Sequence, residues 1–336
     1  VLRFAVRRLM QLVPILLGLS ILLFFWVRAL PGGPAVALLG ERATPEKIAQ
    51  INRIYGLDRP WYEQYVSFLE RAVQLNFGSS IRTQRPVTEE FLRLFPATVE
   101  LSLAAGIFAV GLGIPLGYLA ARRHTTLLDN LSVTGSLIGV TVPVFFLGYL
   151  LRYVFAVKLG WLPATGRQDS REFLDAAHPT GFYVLDGILT GNPAAAWDAA
   201  KHLILPGIAL GTIPLAIITR ITRASVLDVV HEDYVRTAEA KGLLKRTITR
   251  RHVLRNAMLP VITVTGLQVG LLLSGAVLTE TVFAFDGVGR FLNLAISNRD
   301  FSVIQGFILI IAVIVVVVNL LVDIAYGLVD PRVRAR

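Results

Sequence analysis

The stretch Phe301–Val322 reads FSVIQGFILIIAVIVVVVNLLV and holds no charged residue in 22 positions. A helix needs about 20 mostly apolar residues to cross a bilayer, so this segment is long enough to span. Working outward, five more windows obey the same rule. Leu9–Val27, Leu131–Leu151 and Ala257–Thr279 carry no charge, and Ala97–Ala121 carries only Glu100, a turn from its start. Leu203–Thr219 is shorter and interrupted by Pro206 and Pro214, which membrane helices tolerate where neighbours satisfy the freed carbonyls. A single window of this kind fits a buried core helix. Six of them predict an all-α polytopic membrane protein with six transmembrane helices. The first window has the basic start of a signal peptide in Arg3, Arg7 and Arg8. Its apolar stretch is longer than the about 7–15 residues of a signal and no small-x-small cleavage site follows, so it reads as an uncleaved span.

Composition agrees. Of 336 residues 54% are apolar and 17% charged, against about 25% charged in soluble domains. That balance excludes disorder and argues against a cytosolic enzyme. Cysteine is absent, which excludes disulfides and thiol chemistry. The net charge of +10 fits nucleic acid or a membrane surface, and its distribution decides between them. With the N-terminus inside, the cytoplasmic pieces 1–8, 122–130, 220–256 and 328–336 hold 17 basic and 6 acidic residues. The external pieces 31–96, 158–202 and 284–300 hold 14 of each. The excess lies on one side, as the positive-inside rule demands, and calls for no nucleic acid. Both termini are then cytoplasmic.

Several chemistries lack their motifs. No Lys follows a Gly, so there is no P-loop for ATP. His124, His178, His202, His231 and His252 never fall in a His-Glu-x-x-His frame. Arg28, Glu100, Arg152, Glu280 and Asp323 lie near window ends, where long side chains reach headgroup water. No acid or histidine lies mid-span, which gives an ion-coupled carrier or an intramembrane protease little to work with.

Residues 31–96 are too many for a simple connection and predict external helices. Thr44-Pro45-Glu46 starts one, with Ile48, Ile51 and Ile54 at helical spacing and Gly56 at its end. A second opens after Pro60, with Trp61, Tyr65, Phe68, Leu69 and Ala72 on one face. That face serves packing on the bundle, docking of an external partner through Trp61 and Tyr65, or both. The second external loop, 158–202, is rich in Gly, Pro and Ala and predicts an ordered, irregular chain.

The longest cytoplasmic loop, 220–258, is the most informative. From Thr219 to Pro260 the chain reads TRITRASVLDVVHEDYVRTAEAKGLLKRTITRRHVLRNAMLP. Asp233 suits an N-cap, Tyr234–Lys241 a two-turn helix with small Thr237, Ala238 and Ala240, and Gly242 a C′ stop. A short helix with a small-residue face can press into a groove of another protein; an ordinary basic loop between spans has the same composition.

This loop resembles the cytoplasmic coupling motif of permease subunits in bacterial ABC importers. The general motif is Glu-Ala-Ala, three residues, Gly, nine residues, Ile-x-Leu-Pro. With its Gly placed on Gly242, Arg236-Thr237-Ala238 and His252-Val253-Leu254-Arg255 stand at its two ends and depart from it. They are similar instead to the peptide-importing branch, with Tyr-x-Arg-Thr-Ala-x-Ala-Lys-Gly at Tyr234–Gly242 and His-x-Leu-Arg-Asn-Ala-x-Leu-Pro at His252–Pro260. Pro31-Gly32-Gly33-Pro34 resembles a Pro-Gly-Asp-Pro, with Gly33 in place of Asp. Tyr55-Gly56-Leu57-Asp58, Leu278-Thr279-Glu280-Thr281, Gly287, Gly289-Arg290 and Asp330-Pro331-Arg332 extend the likeness over most of the chain. The second external loop, with Thr180-Gly181-Phe182 and Leu185-Asp186, looks most like the dipeptide-permease B-type subunit.

The resemblance implies a MetI-like permease fold: an N-terminal transmembrane helix at 1–30, an external helical loop at 31–96, a five-helix core at 97–329 and a cytoplasmic tail at 330–336. It implies a non-catalytic transport subunit of the bacterial inner membrane that works by alternating access, with no cofactor of its own. The implied partners are a second permease subunit, two ATPase subunits that carry ATP and Mg, and an external substrate-binding protein. Tyr234, Arg236, Thr237, Ala238, Glu239, Ala240, Lys241 and Gly242 would form the helix that meets the ATPase. Dipeptides or short peptides are the implied solute; glutathione, metal chelates and tetrapyrroles are alternatives within the family.

Overall fold

The computed structural model describes residues 2–29, 36, 39, 44–54 and 58–329; side chains at 2–9, 11–12, 51, 128, 137–138, 274–275 and 323–329 lie outside it. The stretches Pro31–Pro34 and Tyr55–Leu57, the tail 330–336 and the side chains of Arg3, Arg7, Arg8 and Asp323, read in the sequence, therefore lie outside the described residues.

All described regular structure is helical, apart from one isolated bridge between Ser79 and Pro86. The first helix, α1, covers Leu2–Ala29. Two short helices follow, α2 over Pro45–Ile54 and α3 over Trp61–Val73. Thr44 begins α2 by accepting the Lys47 N–H at 3.4 Å. Then come α4 at Val87–Arg122, α5 at Leu127–Thr141 and α6 at Val144–Leu151, which runs into a π-helical turn at Arg152–Lys158. Beyond the second long loop stand α7 at Tyr183–Leu189 and α8 at Pro193–Val230. The remaining helices are α9 at Asp233–Ala240, α10 at Arg255–Val282, α11 at Val288–Ser297 and α12 at Phe301–Val329.

Among the described residues four helices are long and apolar enough to cross a membrane: α4, α8, the continuous helix Lys245–Leu273 that becomes α10, and α12. The window Leu131–Leu151 is not one straight helix. It bends by 103° between Asp129–Thr141 and Val144–Lys158, and counts as a fifth span only if the bent pair is taken together. Pro143 stands at the break and biases its neighbour away from helix. In α1 the described apolar stretch covers Val13–Ala29. The window that looked weakest, Leu203–Thr219, belongs to the longest helix and is the most buried, 61% of it inside the molecule. Pro206 and Pro214 are carried within α8 because its flanks are covered by α4, α5, α7 and α10.

The two longest helices, α4 and α8, pack along most of their length. Small residues set the spacing. A Cβ at Gly117 would lie 2.5 Å from the Thr219 carbonyl oxygen and 2.7 Å from Thr222 Cβ, so only a hydrogen fits. One core joins Val87, Phe91 and Leu94 of α4 to Val288 and Leu292 of α11 and to Val303, Ile304 and Phe307 of α12. At the opposite end Ala121, Val226, Val235, Ala238, Ile248, Val253 and Ala257 form a second core.

Candidate functional site

The segment singled out by the sequence lies at the end of the bundle opposite α11. Here α8 ends at Val230, a two-residue turn intervenes, and α9 begins at Asp233 with Glu232 in the N-cap position. Asp233 is thus inside the first turn and not the cap, where its carboxylate still complements the helix dipole. Lys241 is the C-cap residue and Gly242 follows at φ +72°, the left-handed conformation that stops the helix. The Gly242 and Leu243 N–H groups return to the Glu239 and Ala238 carbonyls.

One face of α9 is buried and the other is not. Val235 and Ala238 are 2% and 4% exposed, seated against Val226, Ile248 and Val253. Tyr234, Arg236, Thr237, Glu239, Ala240, Lys241 and Gly242 are exposed. Tyr234 Oη accepts from Asn256 Nδ2 at 2.9 Å, and Arg236 lies 3.7 Å from Asp233. The small residue Ala238 therefore lets α9 approach its own chain, while Ala240 and Thr237 are the small residues turned outward. Burying Val235 alone contributes about 1.5–3 kcal/mol, so α9 is seated on the bundle and does not hang from it. Its seat continues through the π-helical segment Ile248–Leu254 directly into α10. Nearby, Asp129 of α5 receives two bonds from Arg223 of α8.

The end that holds α11 is built differently, from buried polar contacts. The Glu280 carboxylate is fully buried and accepts the Thr98 hydroxyl at 2.7 Å and the Arg290 N–H at 2.9 Å. Thr98 in turn accepts the Val288 N–H, so α4, α10 and the N-terminus of α11 share one network. A Cβ at Gly287 would meet that carboxylate at 2.5 Å, the steric reason for glycine there. Glu100 pairs with Arg167 at 2.9 Å and accepts the Val184 N–H. Arg167 also donates to the Gly181 carbonyl and lies 3.7 Å over the Tyr183 ring, which His178 stacks at 3.6 Å. Gly166 N–H reaches the Phe283 carbonyl, and Arg152 donates to the Val282 carbonyl. The second long loop is thereby tied to the ends of α4 and α10, and its last part is already helix, since α8 begins at Pro193. The sequence marked Glu100, Arg152 and Glu280 as window-end charges but gave no sign of Arg167 or Thr98. Their partners stand far away in the chain.

Of the two residues considered for external docking, Trp61 is 60% exposed and touches Phe25. Tyr65 is half-buried, packs edge-on to Phe24 and hydrogen-bonds Ser20 at 2.8 Å. Arg28 adds two bonds to Gln64. So α3 is fastened to α1, with Trp61 at the free end. A cavity of about 320 Å³ opens between α4, α10, α11 and α12, lined by Phe95, Ala276, Leu292, Ile311 and Val315, with the Thr98 hydroxyl at its edge.

Comparison with known proteins names this architecture. Residues 113–335 match the family described as the binding-protein-dependent transport system inner membrane component, and residues 1–102 match that family's N-terminal part. The chain belongs to this family. Full-length relatives agree. The dipeptide transport system permease protein DppB of Alkalihalophilus pseudofirmus is 44% identical over 99% of both chains. The di/tripeptide transport system permease protein DppB of Pseudomonas aeruginosa is 47% identical over 99% of both chains. The glutathione transport system permease protein GsiC of Escherichia coli is 37% identical over the same share. This chain is thus a transport permease component of the inner membrane.

Proposed function

We propose that this chain is one of two permease subunits of an ATP-driven importer of dipeptides and other short peptides, and that α9 is its coupling helix. One observation carries the coupling role: α9 is seated on α8 and α10 by Val235 and Ala238 while its other face stays open. A force on the open face is passed to both spans through a packed core that has little room to yield. Tyr234, Arg236, Thr237, Glu239, Ala240 and Lys241 would meet the ATPase subunit. Ala238 and Gly242 would hold the helix in place for it. The peptide assignment rests on relatives 44% and 47% identical that carry peptide names, against 37% for the glutathione relative.

In this reading ATP and Mg act on two partner ATPases. Their closure moves α9, the bundle opens outward, and hydrolysis lets it reset. The external loops receive solute from a binding protein, with Trp61 at the exposed end of α3 as one contact. The chain spans the membrane six times: by α1, α4, the α5–α6 pair, α8, α10 and α12. Both termini and α9 face the cytoplasm, and 31–96 and 158–202 face outward. The cavity bordered by Thr98 offers no charged side chain for peptide termini, which suits a path completed at the interface with the second permease.

Because the chain has no cysteine, single cysteines report cleanly. A cysteine replacing exposed Ala240 should cross-link to the ATPase subunit and react only with reagents admitted from the cytoplasm. A cysteine replacing Ser79 should react only from outside. Reversal of either result would remove the coupling role or the six-span orientation.

A further inference from the structure

Five arginines stand at the α9 end of the bundle without a carboxylate partner, Arg122 resting only over the Tyr118 ring. Arg122 and Arg123 close α4, Arg250 and Arg251 lie in the π-helical segment, and Arg255 opens α10. All are exposed, and none has an ion pair among the described residues. They surround a single core, because Ala121 of α4 packs with Val253 and Ala257 of the oppositely running chain. Asp129, a few residues beyond the end of α4, is already engaged by Arg223. The stretch 241–255 contains no acid at all.

Their depth follows from helix geometry. From Thr98 to Arg122 α4 rises about 36 Å, and from Arg255 to Glu280 α10 rises about 38 Å, at 1.5 Å per residue. The hydrocarbon core is about 30 Å thick, and about 40–45 Å with headgroups. With the Thr98–Glu280 network at one edge, the arginines fall beyond the hydrocarbon and inside the opposite headgroup layer. Chemistry sharpens the point. All five cations are arginine, whose planar fork matches phosphate oxygens two at a time, whereas a lysine presents a point charge.

We propose that this arginine crown binds the headgroup phosphates of anionic phospholipids. It would hold the ends of α4 and α10 at a fixed depth in the headgroup layer. Naming the leaflet cytoplasmic rests on the orientation proposed above; the lipid contact itself does not. Each cation near an anionic surface raises local lipid binding about fivefold at low salt, so five acting together select strongly.

The test uses the full-length chain, with whatever subunits co-purify, in nanodiscs of phosphatidylcholine and phosphatidylglycerol in equal parts. After extraction into detergent, retained lipid is counted by native mass spectrometry. Wild type should keep phosphatidylglycerol several-fold over phosphatidylcholine. The triple variant Arg250→Gln, Arg251→Gln, Arg255→Gln should fall toward parity, and the corresponding Lys variant should keep part of the preference. Arg122→Gln with Arg123→Gln, on the other helix, should lower it as well, which covers a triple variant that fails to fold. Parity in wild type, or an undiminished preference in both Gln variants, would overturn the proposal. So would a Gln variant that sheds co-purifying protein subunits while keeping its phosphatidylglycerol, since the crown would then be a protein contact. Transport is not read, so the importer assignment stands or falls separately.

Discussion

At Gly242 the backbone has φ +72° and no atom lies within 4 Å of where a Cβ would stand. Its requirement is purely conformational. A Leu there strains the left-handed turn by about 1–2 kcal/mol, and Asn, which tolerates that region, much less. Gly242→Leu should therefore shift the helix end and lower transport, while Gly242→Asn keeps most of it, with insertion equal in both. The comparison is made by uptake normalised to membrane-inserted protein. At the end that holds α11, His178 is held below its ordinary value of 6.5, first by burial and then by Arg167, with Asp186 and Glu100 opposing. A base with a lowered pKa is neutral when folded, so the unfolded loop binds the extra proton. The loop's stability from this group is complete above the ordinary histidine value and is lost as pH falls through it to the lowered one. Protease cleavage of the loop between α6 and α8 should increase on acidification. In His178→Gln that pH dependence should shrink.

Helix packing gives sharper contrasts. Gly117 has the Thr219 carbonyl and Thr222 where a side chain would go, whereas Gly111, on the same helix, has open space. Gly117→Val should force α4 from α8 and cost about 1–3 kcal/mol. Gly111→Ala should be neutral or slightly stabilising through helix propensity. Thermal unfolding of the two purified variants in detergent checks both. Hydrophobic runs showed where most spans lie because lipid demands long apolar helices. They hid the 103° bend in the third, since a bent pair and a straight helix share the same composition. They also undervalued the fourth, because Pro206 and Pro214 lower the score of a helix that neighbours support. For α9 the spacing located the helix to within a residue. It could not separate Ala238, buried against Val226 and Val253, from Ala240, which is open. Both are small, and only the fold decides which side each faces. Arg167 was illegible for a related reason: its partner Glu100 is in another helix.

Across the whole molecule the two ends differ in kind. At the end that holds α11, Glu280, Thr98, Glu100 and Arg167 form directional polar contacts that fix the loop and α11 on the spans. At the opposite end α9 rests on a core of alanine, valine and isoleucine, which can slide as a unit without leaving a buried charge unpaired. The coupling role proposed for α9 uses that asymmetry: a lever at one end and a rigid frame at the other. In the proposed coupling role the open face of α9 receives the ATPase motion. Its most direct test is the number of dipeptides imported per ATP hydrolysed in proteoliposomes holding the complete complex. The variant is Ala240→Trp, which enlarges the open face and leaves the seat at Val235 and Ala238 untouched. The account predicts ATP-dependent import by wild type and a ratio at least tenfold lower in Ala240→Trp, with the permease still folded and inserted. An unchanged ratio in that variant, or import by wild type that proceeds equally without ATP, would contradict it.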